Sequence, residues 1–412
     1  MVFSAHRKSM IRLRAVVLSG IAALILAVPA QGTGVSGRLT GDVYAYENPD
    51  GTHWQSFLGL QSRAIAWRGS GRQGISLNSY FRWTGDLAGN TPDQANWRVY
   101  HGYLRLDHLV PLTRIDVGRQ FVYTSVGSAV LDGITANIRP FREMEIRLFG
   151  GSSVAGEHND RLQSLSDAAS FGGRVAYRPF SSLTVGGNWF RKKSDGLTAY
   201  HRVGLDLSHD GRRLATYGRV TYDIEQLLVT DVLARVSYRD RNWYWSSEFR
   251  TRQPSVEVSS IFSLIDAVRA KDLRLDFERR VIGNIRAVGQ VFVDLLDDDH
   301  SWAASTGLRT TAFTVLWHHQ TGYGGDSDGL RGNAHIALDT HWTGFASANL
   351  STYRVQEAQE ERSEAYAGGL GLQYRGGAML IRGEGQFLRN AVDESNFRAL
   401  LSVTRYFGAG GR

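Results

Sequence analysis

Alternation of apolar and charged residues is the feature that most limits what this chain can fold into. In KDLRLDFERR (residues 271–280), every second residue from Leu273 to Phe277 is apolar, and the positions between and beside them are charged. Successive side chains of a β-strand point to opposite faces, so a period of two predicts a strand. This strand would have one apolar face and one charged face, the latter formed by Asp272, Arg274, Asp276, Glu278 and Arg280.

The same alternation recurs along the chain. Apolar and polar residues alternate in 75–85, 131–139, 243–252, 366–375 and 379–387, and turn residues separate these segments. Segments of about ten residues with this pattern are the signature of a transmembrane β-barrel. A soluble sandwich also alternates, but it usually includes strands that are apolar on both faces, or helices that cover them. The chain has almost no helical periodicity, which favours the barrel.

We therefore predict an all-β protein that forms a single transmembrane antiparallel β-barrel. We count 22 strands and accept a range of 16 to 22, with strands beginning near residues 36, 54, 75, 96, 114, 131, 145, 170, 184, 198, 214, 227, 242, 271, 285, 301, 312, 334, 345, 364, 378 and 397. Short turns such as 110–113 and 283–284 are predicted at one end of the barrel. Longer loops are predicted at the other end: 155–168, 255–270 and 324–333.

The orientation of the two faces follows from the barrel. Lipid would cover the apolar face, and the charged face would line the lumen. The predicted lumen-lining residues come from three segments and are Asp272, Arg274, Asp276, Glu278, Arg280, Glu248, Arg250, Arg252, Arg382 and Glu384. Because basic and acidic residues are mixed on this wall, the sequence does not predict an ion selectivity.

The N-terminus has the three parts of a secretory signal peptide. Four basic residues precede position 15, an apolar run covers 15–28, and Val28-Pro29-Ala30 places small residues before a cut after Ala30. The apolar run is shorter than the roughly 20 residues that a membrane-spanning helix needs. We expect 1–30 to be removed and 31–412 to form the barrel. Without the four basic residues the chain has 43 Lys+Arg against 40 Asp+Glu, so its charge does not point to nucleic acid.

One predicted loop breaks the strand pattern. In 255–270 the residues Ile261, Leu264, Ile265 and Val268 recur at helical spacing. An apolar helix on a loop would be poorly placed in water, so we expect it to fold into the lumen as a constriction or to pack against a partner. A β-hairpin that extends above the membrane is the alternative. The segments GRQ (118–120) and LDG (131–133) bracket a hairpin tip that contains glycine and serine, and we predict two strands and a loop there.

Candidate sites for chemistry are weak. The chain has no cysteine, which excludes disulfides, c-type haem attachment and thiolate metal sites. His318 and His319 are neighbours on a predicted strand, so their side chains point to opposite faces and cannot share a metal. The acidic stretches 297–300 and 326–329 lack the full calcium-loop pattern. With no catalytic motif either, we expect neither an enzyme nor a bound cofactor or metal.

The last strand carries a family resemblance. Phe397, Ala399, Leu401, Val403 and Phe407 alternate with polar residues, as in the final strand of bacterial outer-membrane β-barrel proteins of the porin type, which the chain resembles. The chain departs from that pattern because GAGGR follows Phe407, and because Arg405 falls on the lipid-facing set. A long arginine tolerates such a position only near an interface.

The resemblance implies a Gram-negative outer-membrane location with short periplasmic turns and longer outer loops. It also implies a porin-like channel for passive diffusion of small hydrophilic solutes through a charged lumen. The alternative is a barrel sheath around a multihaem partner in a porin–cytochrome conduit, because a 22-stranded barrel is wide and needs something to fill it. The expected partners are outer-membrane lipid and lipopolysaccharide, small hydrophilic solutes, and either further copies of the chain or a lumen-filling protein, but no nucleic acid.

Overall fold

A computed structural model of the protein describes residues 34–48, 51–69, 71–86, 96–154, 162–253, 269–296, 299–323, 325–354, 361–391 and 395–408. These residues form 22 β-strands: β1 (Val35–Asn48), β2 (Gly51–Arg68), β3 (Gly74–Asp86), β4 (Asn96–Asp107), β5 (Thr113–Thr124), β6 (Gly127–Phe141), β7 (Met144–Ser153), β8 (Ala169–Phe180), β9 (Leu183–Ser194), β10 (Leu197–Asp210), β11 (Leu214–Asp223), β12 (Leu228–Arg239), β13 (Trp243–Arg252), β14 (Ala270–Ile282), β15 (Ile285–Leu295), β16 (His300–Arg309), β17 (Phe313–Gly322), β18 (Asp326–Ala337), β19 (Trp342–Arg354), β20 (Ser363–Gly376), β21 (Met379–Arg389) and β22 (Asn396–Phe407). The described residues contain no helix long and apolar enough to cross a membrane.

The strands form one closed ring. Each strand pairs antiparallel with the next in the chain, and β1 pairs with β22 from Gly37↔Phe407 to Tyr46↔Arg398. The predicted all-β single barrel of 22 strands is therefore confirmed. With strands about 4.8 Å apart and tilted by roughly 40°, a circular ring of this size is about 40–45 Å across between opposite backbones.

The two faces of the ring differ as the alternation predicts. In β14 the apolar side chains Leu273, Leu275 and Phe277 are 38%, 41% and 45% exposed, although large apolar residues are normally buried in a soluble protein. A wall that is one sheet thick has no second layer outside it, so such side chains form an exposed apolar belt around the ring. Aromatic residues such as Trp243 and Trp302 lie near strand ends within this belt.

The connections distinguish the two ends of the barrel. At the end that we call the turn side, no connection is longer than the five residues of 69–73 and 108–112. At the opposite end, the loop side, connections reach 17 residues at 253–269. The predicted loop 324–333 is an exception, because β18 already begins at Asp326 and pairs there with Arg354 of β19. The signal peptide at 1–30 and the predicted constriction residues Ile261, Leu264, Ile265 and Val268 lie outside the described residues.

Candidate functional site

Ion pairs join neighbouring strands along the face that is opposite to the apolar belt. The carboxylate of Asp231 on β12 lies between Arg219 on β11, at 2.6 Å, and Arg250 on β13, at 2.7 Å. Glu278 on β14 pairs with two arginines on one side, Arg286 of β15 at 2.5 Å and Arg309 of β16 at 3.2 Å. These bridges arise because antiparallel pairing places inward positions of adjacent strands side by side.

The ten residues predicted to line the lumen all lie on this inner face, and each makes an ion pair or a hydrogen bond, either within its strand or to a neighbouring one. Arg252 reaches Asp272 at 2.7 Å, Arg274 reaches Asp276 at 3.0 Å, and Arg382 reaches Glu384 at 2.7 Å. Glu248 pairs with Arg235, and Arg280 donates to the Gly283 carbonyl at 2.7 Å. Whether these residues line a conducting lumen is a question of function, and it remains a prediction.

The inner face of β2–β4 has a different chemistry, which the sequence did not single out. Here arginines lie over aromatic rings: Arg82 is 4.2 Å from the Phe57 ring centroid and Arg105 is 5.3 Å from that of Tyr103. The rings of Tyr80 and Tyr100 stack at 4.8 Å. Guanidinium groups over rings are held by cation–π attraction. This side of the barrel therefore presents an aromatic and cationic surface.

The β5–β6 hairpin leaves the barrel wall on the loop side. β4 and β5 pair only from Asp107↔Arg114 to Gly102↔Arg119, whereas β5 and β6 continue to pair as far as Thr124↔Gly127. The departure occurs at Gly118, whose φ of 127° is unfavourable for residues with a Cβ. A Cβ there would also lie 2.4 Å from the Gly102 carbonyl oxygen. We call residues 119–132 the inward hairpin.

One face of the inward hairpin packs on the inner wall. Val122, Val126 and Leu131 form a buried apolar cluster with Phe149 of β7 and Phe190 of β9. The two phenyl rings are tilted at a centroid distance of 5.4 Å, and Phe190 is completely buried, with 0% exposure. This cluster is a small hydrophobic core inside the barrel.

The hairpin reaches as far as β10. A Cβ on Gly204 would lie 2.4 Å from Cγ1 of Val126, so the absence of a side chain at Gly204 makes room for the tip. The Tyr200 hydroxyl donates to the Ser128 carbonyl at 3.4 Å. The inward hairpin therefore crosses the inner faces of β7–β10.

The other face of the inward hairpin is exposed. Phe121 and Tyr123 are 63% and 56% exposed, and by their alternation they would face outward if β5 had stayed in the wall. Tyr123 instead lies close enough to interact electrostatically with Tyr217 and Arg219 on the inner face of β11. Since β11 is six strands away from β5 around the ring, this face looks into the lumen.

An ion pair marks the base of the hairpin. Arg119 and Asp132 are directly opposite in the β5–β6 register, and Arg119 Nη2 is 2.7 Å from Asp132 Oδ2. Both side chains are largely buried, and they share the alternation of the outward residues Val117 and Ile134. A charged pair at a lipid-facing position would be costly. This ion pair, together with a tip that is apolar on both faces, is the sequence pattern that indicates an inward hairpin.

Histidine and acidic residues do not form a metal centre in the described part of the chain. His319 Nδ1 lies 2.6 Å from Asp328 Oδ1, beside the rings of Trp302 and Trp317. Its neighbour His318 instead contacts the backbone position of Gly329. The two histidines thus have separate surroundings.

Comparisons with known proteins return structures only. No protein-family model and no curated protein matches the chain. The outer-membrane protein OpdK of Pseudomonas aeruginosa is 12% identical, with 91% of this chain and 99% of that chain covered and a TM-score of 0.46. A BenF-like porin from Pseudomonas fluorescens Pf-5 is 9% identical (91% and 98% covered, TM-score 0.46), and Pseudomonas aeruginosa OccK2 (OpdF) in complex with glucuronate is 12% identical (91% and 97% covered, TM-score 0.45).

Likeness of this degree concerns architecture alone, and the architecture rests on the chain's own features. These features are the closed antiparallel ring, the exposed apolar belt, the polar inner face and the short and long connections at opposite ends. Together they are the defining properties of transmembrane β-barrels. In fold, this chain is a single transmembrane antiparallel β-barrel of 22 strands.

Proposed function

We propose that the chain is a channel of the Gram-negative outer membrane through which small hydrophilic solutes diffuse passively. The observation that carries this proposal is the ion-paired inner face of β11–β16, with Asp231 and Glu278 each paired with two arginines. A carboxylate and guanidinium wall needs water or a polar filling, because buried charges are expensive to desolvate. A ring of 22 strands is too wide for its own side chains to fill.

The inward hairpin gives the channel a narrowed section. Packed sheets lie about 10 Å apart, so a hairpin that lies over the inner faces of β7–β10 takes roughly 10 Å from a ring that is about 40–45 Å across between opposite backbones. Its exposed residues Phe121 and Tyr123 face the lumen, where Tyr123 lies near Tyr217 and Arg219 of β11. A solute therefore meets ion pairs, phenol hydroxyls and arginines in one cross-section.

The predicted lumen residues and the processing of the N-terminus belong to the same proposal. The permeating solution would contact the five predicted positions on β13 and β21 and the five on β14, which are Asp272, Arg274, Asp276, Glu278 and Arg280. Residues 1–30 would be cleaved on export. N-terminal sequencing of protein purified from outer membranes is expected to begin at Gln31, and a sequence that begins at Met1 would contradict export through this route.

Single-channel recording in planar bilayers tests the proposed function. The purified barrel, added alone, is expected to insert and to give stable open currents that scale with salt concentration. A reversal potential under a salt gradient then reports the charge preference of the lumen. A barrel that remains closed, or that is stable only with another protein inside it, would exclude a simple diffusion channel.

A further inference from the structure

The barrel wall is interrupted between β4 and β5. These strands share six register pairs, while every other pair of neighbouring strands shares eight or more. Above Gly102↔Arg119, the register partners that the described residues provide for 97–99 and 101 of β4 are all on β3, and those for 120–124 of β5 are all on β6. We call this interruption the wall gap. It spans five residues of each strand, which is roughly 16 Å along the strand.

The register with β3 gives the height of the wall gap. Val99 is opposite Phe81, and Trp97 is opposite Trp83. Phe81 is an outward, exposed residue of the apolar belt, and Trp97 is 68% exposed at the loop-side end of β4. Tryptophans of transmembrane barrels mark the interface between lipid and water. The wall gap therefore lies below that interface, within the leaflet on the loop side.

The inward hairpin cannot close the gap while it is docked. Its buried face holds Val122, Val126 and Leu131 against β7 and β9, on the far side from β4. Its exposed face carries Phe121 and Tyr123 and looks into the lumen. Open strand edges do not occur in the hydrocarbon region unless they are buried in protein or reached by water. No described residue pairs with this edge of β4, so water reaches it from the lumen.

The borders of the gap are apolar towards lipid and cationic towards the lumen. Trp97 and Val99 lie on the lipid side of β4, while Phe121 lies on the hairpin. On the lumen side, the guanidinium of Arg98 is 5.8 Å from the Tyr100 ring centroid, and Arg82 lies over Phe57. An apolar tail fits the first surface and an anionic head group fits the second.

We propose that the wall gap is a lateral opening between the lumen and the loop-side leaflet, and that single-chain anionic amphiphiles pass through it. The head group follows the arginine and aromatic surface of β3 and β4, while the acyl chain crosses between Val99 and Phe121. This proposal requires the barrel to lie in a bilayer. It does not require that the lumen conducts hydrophilic solutes, so either proposal can fail without the other.

Photo-crosslinking in reconstituted membranes tests the opening. A benzoyl-phenylalanine is placed in turn at Phe121, at Arg274 and at Phe81, in liposomes that contain lipid with a labelled acyl chain. Position 81 is expected to label strongly because it is in the apolar belt, and position 274 is expected not to label because it is on the inner face of β14, away from the gap. Label at position 121 that is at least tenfold above that at position 274 supports the opening. Equal background at 121 and 274 overturns it, and so does a crosslink from 121 to residues 87–95 or to a second copy of the chain, since the gap is then plugged by protein.

Transport of a matched pair of solutes tests the passage itself. Proteoliposomes are supplied with a fluorescent acyl sulfate and with a free sugar, and each is measured with the unchanged chain and with Val99→Arg. Val99 lies on the lipid side of β4, opposite Phe81 and outside the path of the sugar, and the substitution places a charge where the acyl chain crosses. Mobility on unheated gels checks that the variant is folded. The amphiphile flux is expected to fall at least tenfold while the sugar flux changes less than twofold. An unchanged amphiphile flux, or an equal loss of both fluxes, overturns the proposal.

Discussion

The docking of the inward hairpin should depend on the buried ring of Phe190. Phe190→Ala removes a ring that touches the hairpin, the Phe149 ring and the Tyr200 ring, the last stacked at 5.5 Å. Removing a buried phenylalanine costs about 3–5 kcal/mol in soluble cores. If about half of that falls on the hairpin contact, docking weakens by about 2 kcal/mol. That corresponds to roughly a thirtyfold rise in the undocked population.

Cysteine accessibility measures this population directly, because the chain contains no cysteine of its own. Val126 is 3% exposed, so a cysteine in Val126→Cys is protected from a hydrophilic maleimide while the hairpin is docked. Its labelling rate is expected to rise about thirtyfold in the Phe190→Ala background. Tyr123→Cys, on the exposed face of the same hairpin, should be labelled rapidly in both backgrounds and sets the upper limit of the rate.

A matched substitution separates docking from general loosening of the barrel. Phe249→Ala removes the same ring from an exposed, outward position on β13, and it should leave the labelling of Val126→Cys unchanged. The reasoning is refuted if Phe190→Ala leaves Val126→Cys protected in a barrel that keeps its folded mobility on unheated gels. Fast labelling of Val126→Cys in the otherwise unchanged chain would refute the docked hairpin itself.

Three further results are expected. Leu275→Arg places a charge in the middle of the apolar belt and should lower the free energy of unfolding in lipid by about 2–4 kcal/mol, as measured by denaturant titration. Arg274→Ser on the same strand should be tolerated. The reverse ranking would mean that the two faces are inverted. Asp231→Asn leaves two arginines without their shared anion, so the reversal potential in a salt gradient should move towards chloride, and a shift towards the cation would contradict the placement of Asp231 in the lumen. The pKa of Asp240 in the turn before β13 is lowered below its ordinary value of 3.8 because the backbone N–H groups of Asn242 and Trp243 donate to it. Because the pKa is depressed, the ionised carboxylate stabilises this turn at any pH above 3.8, and the stabilisation is lost as the pH falls through the lowered pKa. The Trp243 amide resonance should therefore shift with a midpoint below pH 3.8. A midpoint above pH 3.8 would contradict the hydrogen-bonded turn.

Much of the barrel could be predicted because each strand carries its own two-faced pattern. The predicted starts lie within four residues of the observed ones for all strands except β18, which begins at Asp326 rather than near 334. That stretch, GGDSDGLRGN, is rich in the residues that usually form loops. Pairing on both sides decides otherwise: Ser327 pairs with Gln320 of β17 and with Tyr353 of β19. Local composition does not contain this information, since the partners come from other strands.

The inward hairpin could not be predicted by the same reasoning. An alternating strand defines an inside and an outside only while it remains in the wall, and the stretch from Phe121 to Tyr123 is apolar on both faces. Its packing partners Phe149 and Phe190 are on other strands, and the alternation of those strands places them on the inward face like any other residue there. A tip that is apolar on both faces, beginning at a glycine and with an ion pair at its base, would be the pattern to search for in other barrels.

The inward hairpin also bears on the order in which the barrel assembles. Its docking surface is contributed by β7, β9 and β10, which all follow β5 and β6 in the chain. While strands are added in sequence, the tip has nothing to pack on, and residues 120–124 remain available to pair with the free edge of β4. A conventional β4–β5 register is therefore an available early arrangement, and docking then becomes an exchange of that pairing for the apolar cluster. Substitutions at Phe190 and Gly204 should therefore change the rate of slow steps in membrane insertion, although both residues are far along the chain from the hairpin that packs on them.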